Sequence, residues 1–268
     1  MRGLTLDELR TVTKTAGWTI AGETDLAADP PADLAALAST SADVIAIAGG
    51  DGTLISVLGA LVKHSIDTPV LILPCGTANL LARYVHSTIE LAEVLERARQ
   101  ASTDKLPLGS ANGQLFAVAA AIGISPGLAK ARERLREPDR SNRAGRFWTY
   151  IRAGFRSFFR GRFYVDLMQD EAPRPTTALY VTCPVSLGSE KTFTIHGGRM
   201  RNVADLAAGV IKTALPLPDN KANWSADTSR LIVLSKHGQP VILDGEPIRM
   251  DGPITVEFCS DSVTVLTA

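Results

Sequence analysis

The chain has 268 residues, 45% of them hydrophobic, and its 28 basic and 28 acidic residues leave no formal net charge. That apolar share is ample for a packed core, which excludes a disordered chain, and the neutral total argues against wholesale coating of a polyanion such as nucleic acid. The three cysteines, Cys75, Cys183 and Cys259, are scattered and odd in number. They suit neither a disulfide framework nor a zinc site, and a reducing cytoplasm is the simplest compartment.

The charge is unevenly placed. Residues 1–105 carry 8 basic and 13 acidic groups, residues 106–162 carry 11 and 3, and residues 163–268 carry 9 and 12. The basic middle suits phosphate, anionic lipid or nucleic acid, or is simply a solvated helix face. The start, "MRGLTLDELR", lacks an apolar signal core, and no apolar run approaches the ~18 residues of a spanning helix.

In chain order, Thr5 and Glu8 stand at capping-box spacing ahead of a stripe of Leu6, Leu9 and Val12 that stops at Gly17, which predicts a first helix. "WTIAGET" reads as a short strand and "PPADLAALAST" as a helix opened by proline. "ADVIAIAGG" is an apolar run without alternation, as expected of a strand buried on both faces. "TLISVLGALVKH" then reads as a helix, "TPVLILP" as a second buried strand, and "ANLLARYV" and "TIELAEVLERARQ" as helices. This alternation predicts a parallel sheet with helices on both faces over residues 1–105.

After Pro107 the texture changes to short strand-like runs: "LFAVAAAI", "FYVDLM", "ALYVTC", "KTFTI", "RLIVLS", "QPVIL", "PITVEF" and "SVTVLT". Most are separated by turn residues, so a β-rich second domain is expected over 106–268, interrupted by a basic helical insertion at 126–162.

Two glycine-bearing turns carry the chemistry. Gly49, Gly50 and Gly52 are expected to supply positive φ and a side-chain-free turn at a strand's carboxyl end. Thr53 is expected to cap the next helix, whose N–H groups would face an anion. Asp51 in their midst would repel a phosphate unless a magnesium ion or a hydroxyl stood between them. The plainer reading is a tight βα turn with a solvent-facing aspartate. Gly76, Thr77 and Asn79 repeat the arrangement after the next strand, and two such turns would line one crevice at the carboxyl end of a parallel sheet. Neither a Gly-Lys-Ser/Thr phosphate loop nor a dinucleotide Gly-x-Gly-x-x-Gly is present.

Downstream, "VILDGEPIRMDGPI" places Asp244 and Glu246 on one side of an extended chain, a carboxylate pair suited to general-base or metal work. Asp-Gly is also a common hairpin signal, and the pattern does not separate the two. His64, His86, His196 and His237 are scattered, and loop or surface roles are expected for each.

With "GGDGT" at 49–53, "PCGTANLLAR" at 74–83 and "LDGE" at 243–246, the chain resembles the diacylglycerol kinase catalytic-domain family, whose relatives include sphingosine and ceramide kinases and bacterial soluble lipid kinases. "VAAAIGI" at 118–124 and the neighbourhood of Gly145 to Tyr150 add to the resemblance. It implies a two-domain fold of the NAD kinase/diacylglycerol kinase-like kind, an α/β nucleotide-binding domain plus a β-sandwich-like domain. It further implies that Gly49 to Thr53, Gly76, Thr77 and Asn79 bind ATP, with Thr24 a looser match. Asp244 and Glu246 would activate a lipid hydroxyl, and Asp51 would place Mg2+ or that hydroxyl. Three departures accompany it. The chain opens on a helix where the family has a strand and an Asn-Pro-x-x-Gly turn. "FTIHGGRMRNVADL", with Asp205, stands in place of the family's Asp-Gly-x-Leu-Asp magnesium segment. Cys183-Pro184 stand where asparagine is common.

"RFWTYIRAGFRSFFRGRF" puts Phe147, Ile151, Phe155, Phe158 and Phe159 on one helical stripe with Arg152, Arg156 and Arg160 beside it. Such a helix lies on anionic lipid or packs its aromatic face on the β domain. The function expected is ATP-dependent transfer of a phosphoryl group to a primary hydroxyl of a diacylglycerol-like or ceramide/sphingoid lipid. The expected protein is cytoplasmic, peripheral on the inner face of the membrane, without nucleic-acid partners, and compatible with a homodimer. The alternatives are an NAD kinase, whose family shares the Gly-Gly-Asp-Gly turn, and a nucleotide- or lipid-binding module impaired in catalysis.

Overall fold

The structure, a computed structural model, describes residues 5–25, 42–77, 79–123, 163–168, 172–184, 192–198 and 223–268. The helix expected in "PPADLAALAST", the basic insertion 126–162 and Asp205 lie outside the described residues. The chain divides into two compact units, one of residues 1–108, 184–191 and 259–268 and the other of residues 109–183 and 192–258.

In the first unit, helix α1 (Leu6–Thr15) begins with the expected capping box: Glu8 N–H donates to Thr5 Oγ1, and Thr5 N–H donates to the Glu8 carboxylate. Leu9 and Val12 pack with Val94 and Leu95 of a later helix, α4 (Leu91–Ala98). The expected strand "WTIAGET" is not formed. Trp18 instead donates from Nε1 to the Leu95 carbonyl and joins the cluster around α4, while Glu23 pairs with Arg10. This segment is thus held by side chains rather than by a ladder.

Strands β1 (Ile45–Gly49) and β2 (Val70–Pro74) run parallel, in register from Ile45 opposite Val70 to Gly49 opposite Pro74. Val70, Leu71, Ile72 and Leu73 of β2 are all buried, as expected of a strand covered on both faces. Strand β1 departs from that expectation: only Ile47 is buried, and Ala46 and Ala48 on its other face are exposed. Between the strands, helix α2 (Asp51–Lys63) buries Leu54, Val57, Leu58 and Leu61, the i, i+3, i+4, i+7 stripe of a core-facing helix. Helix α3 (Leu80–Val85) follows β2.

The second unit is a β-sandwich. Strand β3 (Thr103–Ala111) ends there in a hairpin with β4 (Gln114–Phe116). One sheet orders the strands β14 (Ile254–Leu266), β11 (Arg230–Leu234), β6 (Phe163–Asp166) and β7 (Arg174–Thr176), all antiparallel. The other is antiparallel in the order β10 (Asn223–Thr228), β9 (Phe193–Gly198), β8 (Ala178–Thr182), β5 (Ala119–Ile122), β12 (Gln239–Leu243) and β13 (Glu246–Met250). Facing residues from the two sheets, among them Val165, Leu231 and Val256 on one and Ile122, Val181 and Val241 on the other, make one core. Phe193 stacks on Phe116 at 5.7 Å between ring centroids and meets Phe258 edge-on at 5.3 Å.

Two expected strands, "PITVEF" and "SVTVLT", are one strand, β14. Its first residues, Ile254 to Glu257, pair with β11 in the second unit, and Val265 pairs in parallel with Val70 of the first. The C-terminal residues 259–268 therefore cluster with the first unit rather than with the residues just before them. Conversely, "LFAVAAAI" is two strands, β4 and β5, broken at Ala117-Val118 where the chain passes from one sheet to the other. No helix among the described residues is long and apolar enough to cross a membrane.

His86, expected in a loop or surface role, is 5% exposed. One ring nitrogen, Nε2, lies 2.8 Å from the Ile72 carbonyl, and Nδ1 accepts the Ala268 N–H at 3.2 Å. A carbonyl only accepts, so this arrangement requires the neutral tautomer with the proton on Nε2. Burial pushes the His86 pKa below its ordinary value of 6.5, against the opposing effect of the Ile72 bond. Because the folded value is the lower one, the stabilisation is complete above about pH 6.5 and is lost as pH falls through the folded pKa. Urea unfolding followed from about pH 8 to about pH 5 is expected to show a loss of stability that is smaller in His86→Gln, which has no titrating group there. Identical pH slopes would contradict the assignment.

Candidate functional site

The carboxyl ends of β1 and β2 lie side by side, and each runs through a glycine turn into a helix. At the first turn Gly50 is the N-cap of α2, with φ −84° and ψ 172°, and no side chain caps the helix. Two expectations are corrected here. Thr53 lies in the first helical turn and is not the cap. Gly49, Gly50 and Gly52 do not have positive φ, so left-handed backbone is not why glycine stands there.

Contacts supply the reason at two positions. A Cβ on Gly49 would stand 2.9 Å from the Thr53 side chain, and one on Gly76 would stand 2.7 Å from Gly50 Cα and 3.1 Å from the Gly49 carbonyl oxygen. The turns thus pack backbone on backbone. At Gly50 and Gly52 a Cβ would meet nothing within 4 Å among the described residues. Neither conformation nor crowding demands glycine there, and what its presence does is leave the start of α2 uncovered. Exposed N–H groups and the positive end of the helix dipole make that surface receptive to anionic oxygens.

The polar residues of the two turns fall into two groups. Asp51 Oδ1 accepts the Leu81 N–H at 3.1 Å, so the aspartate that opens α2 satisfies a donor of α3. Its other oxygen takes no hydrogen bond from the described residues. Asn79, left-handed at φ 50° and ψ 42°, accepts the Gly76 N–H on Oδ1 at 2.7 Å and donates to the Pro74 carbonyl at 3.2 Å. Its amide closes its own turn. Thr77 is exposed, with its hydroxyl available as a neutral donor. Thr24 makes no hydrogen bond with the described residues of either turn.

In the second unit the Asp244–Glu246 pair is not the extended arrangement. Asp244 and Gly245, at φ 47° and 96°, form the two-residue turn between β12 and β13, with Leu243 opposite Glu246. The Asp244 carboxylate accepts three backbone N–H groups, from Ala117 at 2.6 Å and from Val118 and Ala119 at 2.8 Å each. Glu246 is exposed. The three amides were missed by sequence reasoning, whose available signal was the Asp-Gly hairpin dipeptide. Cys183 is buried and its N–H donates to the Val118 carbonyl. Among the described residues no group of three or more His, Cys, Asp or Glu side chains could hold a metal ion. The membrane-contact candidates Arg152, Phe155, Arg156, Phe159 and Arg160 lie outside the described residues.

Residues 3–111, which contain both glycine turns, match the family model for the diacylglycerol kinase catalytic domain. A curated relative, "Probable lipid kinase YegS-like" of Pseudomonas fluorescens (strain Pf0-1), is 40% identical over 81 residues, 30% of this chain. The match spans 26% of that relative's length. Among solved structures, a diacylglycerol kinase from Bacillus anthracis str. Sterne is similar with a TM-score of 0.67 and 18% identity, over 91% of this chain and 84% of that one. A second structure from the same organism gives 0.66 and 17% over 91% and 84%. The diacylglycerol kinase-like two-domain α/β fold is therefore that of this chain.

The backbone contact between the two glycine turns is directly testable. Gly76→Ala forces a methyl against backbone that cannot rotate away and is expected to cost about 1–3 kcal/mol. Denaturant midpoints of the variant and the wild type measure it, and an unchanged midpoint would mean that the turns are not in contact.

Proposed function

We propose that the chain is an ATP-dependent lipid kinase that transfers the γ-phosphoryl group to a primary hydroxyl of a diacylglycerol-like or ceramide/sphingoid lipid. The observation that carries this reading is the pair Gly50 and Gly52, glycines without a conformational or packing cause at the uncapped start of α2, inside a segment that matches the diacylglycerol kinase catalytic-domain model. A side chain at either position would fill the cradle that the phosphate oxygens need.

In this reading the α2 N–H groups and the Thr77 hydroxyl bind ATP phosphates, with Gly49 and Gly76 holding the turns together and Asn79 shaping the second. Mg2+ is commonly bound by one or two carboxylates together with phosphate oxygens, and the Asp51 oxygen without a described partner fits that donor set. The ion would neutralise charge on the phosphates. The lipid oxygen forms a bond to the γ-phosphorus as the bond from that phosphorus to the bridging oxygen of ADP breaks, and the hydroxyl proton passes to Glu246. Phosphoryl transfer demands positioning and charge stabilisation more than covalent assistance, so this modest set of groups is sufficient. The sequence Phe147–Arg160, with Arg152, Arg156, Arg160, Phe155 and Phe159, would hold the enzyme on an anionic bilayer that contains the lipid.

Incubation with labelled ATP and magnesium against diacylglycerol, monoacylglycerol, ceramide, sphingosine and NAD tests the proposal. Label is expected on a lipid, with Gly50→Val reducing turnover by about 10²-fold because its side chain covers the anion cradle, while the poorer N-cap lowers thermal stability only slightly. Label on NAD alone, or nucleotide binding without transfer, would reject it.

Vesicle sedimentation tests the bilayer contact. Replacing Arg152, Arg156 and Arg160 together by alanine is expected to weaken binding to phosphatidylserine vesicles, most clearly at low salt. Undiminished binding would rule out these residues as the contact.

A further inference from the structure

Asp244 and Glu246 are two residues apart, yet the fold treats them differently. At Ala117-Val118 the chain leaves one sheet of the sandwich after β4 and enters the other as β5. Such a corner breaks the ladder and leaves N–H groups without strand partners. Asp244 meets three of them, with Oδ2 2.6 Å from Ala117 N and Oδ1 2.8 Å from both Val118 N and Ala119 N. Its own N–H donates to the Ala119 carbonyl at 2.9 Å, so main chain and side chain grip the same corner. Aspartate tolerates the left-handed conformation that the turn requires at φ 47°. Both carboxylate oxygens already point at donors. Glu246, beyond Gly245, opens the edge strand β13 with its side chain exposed.

We propose that Asp244 is a positioning residue and not the proton acceptor: its carboxylate ties the Asp-Gly hairpin tip to the corner at Ala117–Ala119, and the rigid tip sets Glu246, which takes the substrate proton. The kinetic part rests on the kinase reading above. The tie itself does not.

The experiment compares wild type with Asp244→Asn, Glu246→Gln and the double variant. Glu246→Gln is expected to lower kcat by about 10²-fold with little change in KM. In Asp244→Asn the amide oxygen still accepts from Val118 and Ala119, but its NH2 confronts the Ala117 N–H. A loss in kcat of about 10-fold is expected, with little change in KM. If Asp244 acts only through Glu246, the double variant turns over as slowly as Glu246→Gln and no slower. Losses that multiply, or a loss in Asp244→Asn larger than that in Glu246→Gln, would overturn the proposal.

Amide hydrogen exchange supplies the readout that needs no catalysis. Exchange at Ala117, Val118 and Ala119 is expected to be slow in wild type, at least 10-fold faster in Asp244→Ala and intermediate in Asp244→Asn. Equal exchange in the wild type and Asp244→Asn would overturn the tie even if Asp244→Ala does not fold. A wild type that phosphorylates none of the lipids would defeat the kinase reading, and the exchange rates would then decide the tie alone.

Discussion

The approach of Gly76 to Gly50 constrains the rest of the first unit. Two parallel strands end abreast, and each must turn at once into a helix. With 2.7 Å between the Gly50 Cα and the place of a Gly76 Cβ, no side chain fits between the turns. Asp51 completes the junction by reaching from the first turn of α2 to the Leu81 N–H of α3. Two helix starts are thereby locked to each other as well as to their strands, and a pair of turns that would each be mobile alone becomes one rigid rim.

That lock changes the roles of the polar residues. A carboxylate beside a glycine turn suggests chemistry, yet Asp51 uses one oxygen as a cap, Asn79 uses both ends of its amide on its own turn, and Asp244 uses its carboxylate on a sheet corner. In each case an irregular stretch of backbone has donors or acceptors that no ladder satisfies, and a short polar side chain close in space is the cheapest partner. Building a ligand site from tight turns creates this demand. Thr77 and the second oxygen of Asp51 in the first unit, and Glu246 in the second, are not used in this way by the described backbone.

The sequence was legible where the cause is local. The capping box of α1, the buried stripe of α2 and the apolar runs of β1 and β2 follow from neighbours within one turn or one strand, and all four are present. It was illegible where a distant partner decides. "WTIAGET" has strand-like residues, but Trp18 finds the Leu95 carbonyl 77 positions away and no strand pairs with it. The apparent turn in "FCSDSV" is spanned by β14, whose two ends have partners in different units. His86 has no local sign of burial, since both its hydrogen bonds go to main chain that is near only after folding. At the candidate site the glycines were found for the wrong physical reason, and the segment "GGDGT" located them all the same.

A glycine's cause can be assigned by elimination, and the four glycines of the two turns separate cleanly. Gly49 and Gly76 are required by contact: a methyl at either collides with atoms already in place. Gly50 and Gly52 collide with nothing and have backbone conformations open to other residues. Gly52 is the second residue of α2, and neither contact nor backbone conformation gives glycine an internal cause there. An external one remains, the close passage of a ligand over the main chain, and the groups bordering that passage restrict its nature. They are amide donors and a threonine hydroxyl, with one acidic oxygen among them. Donors alone would accommodate any anion. Under the kinase proposal, an anion arriving with its own divalent cation would turn the one repulsive contact at the rim into an attractive one.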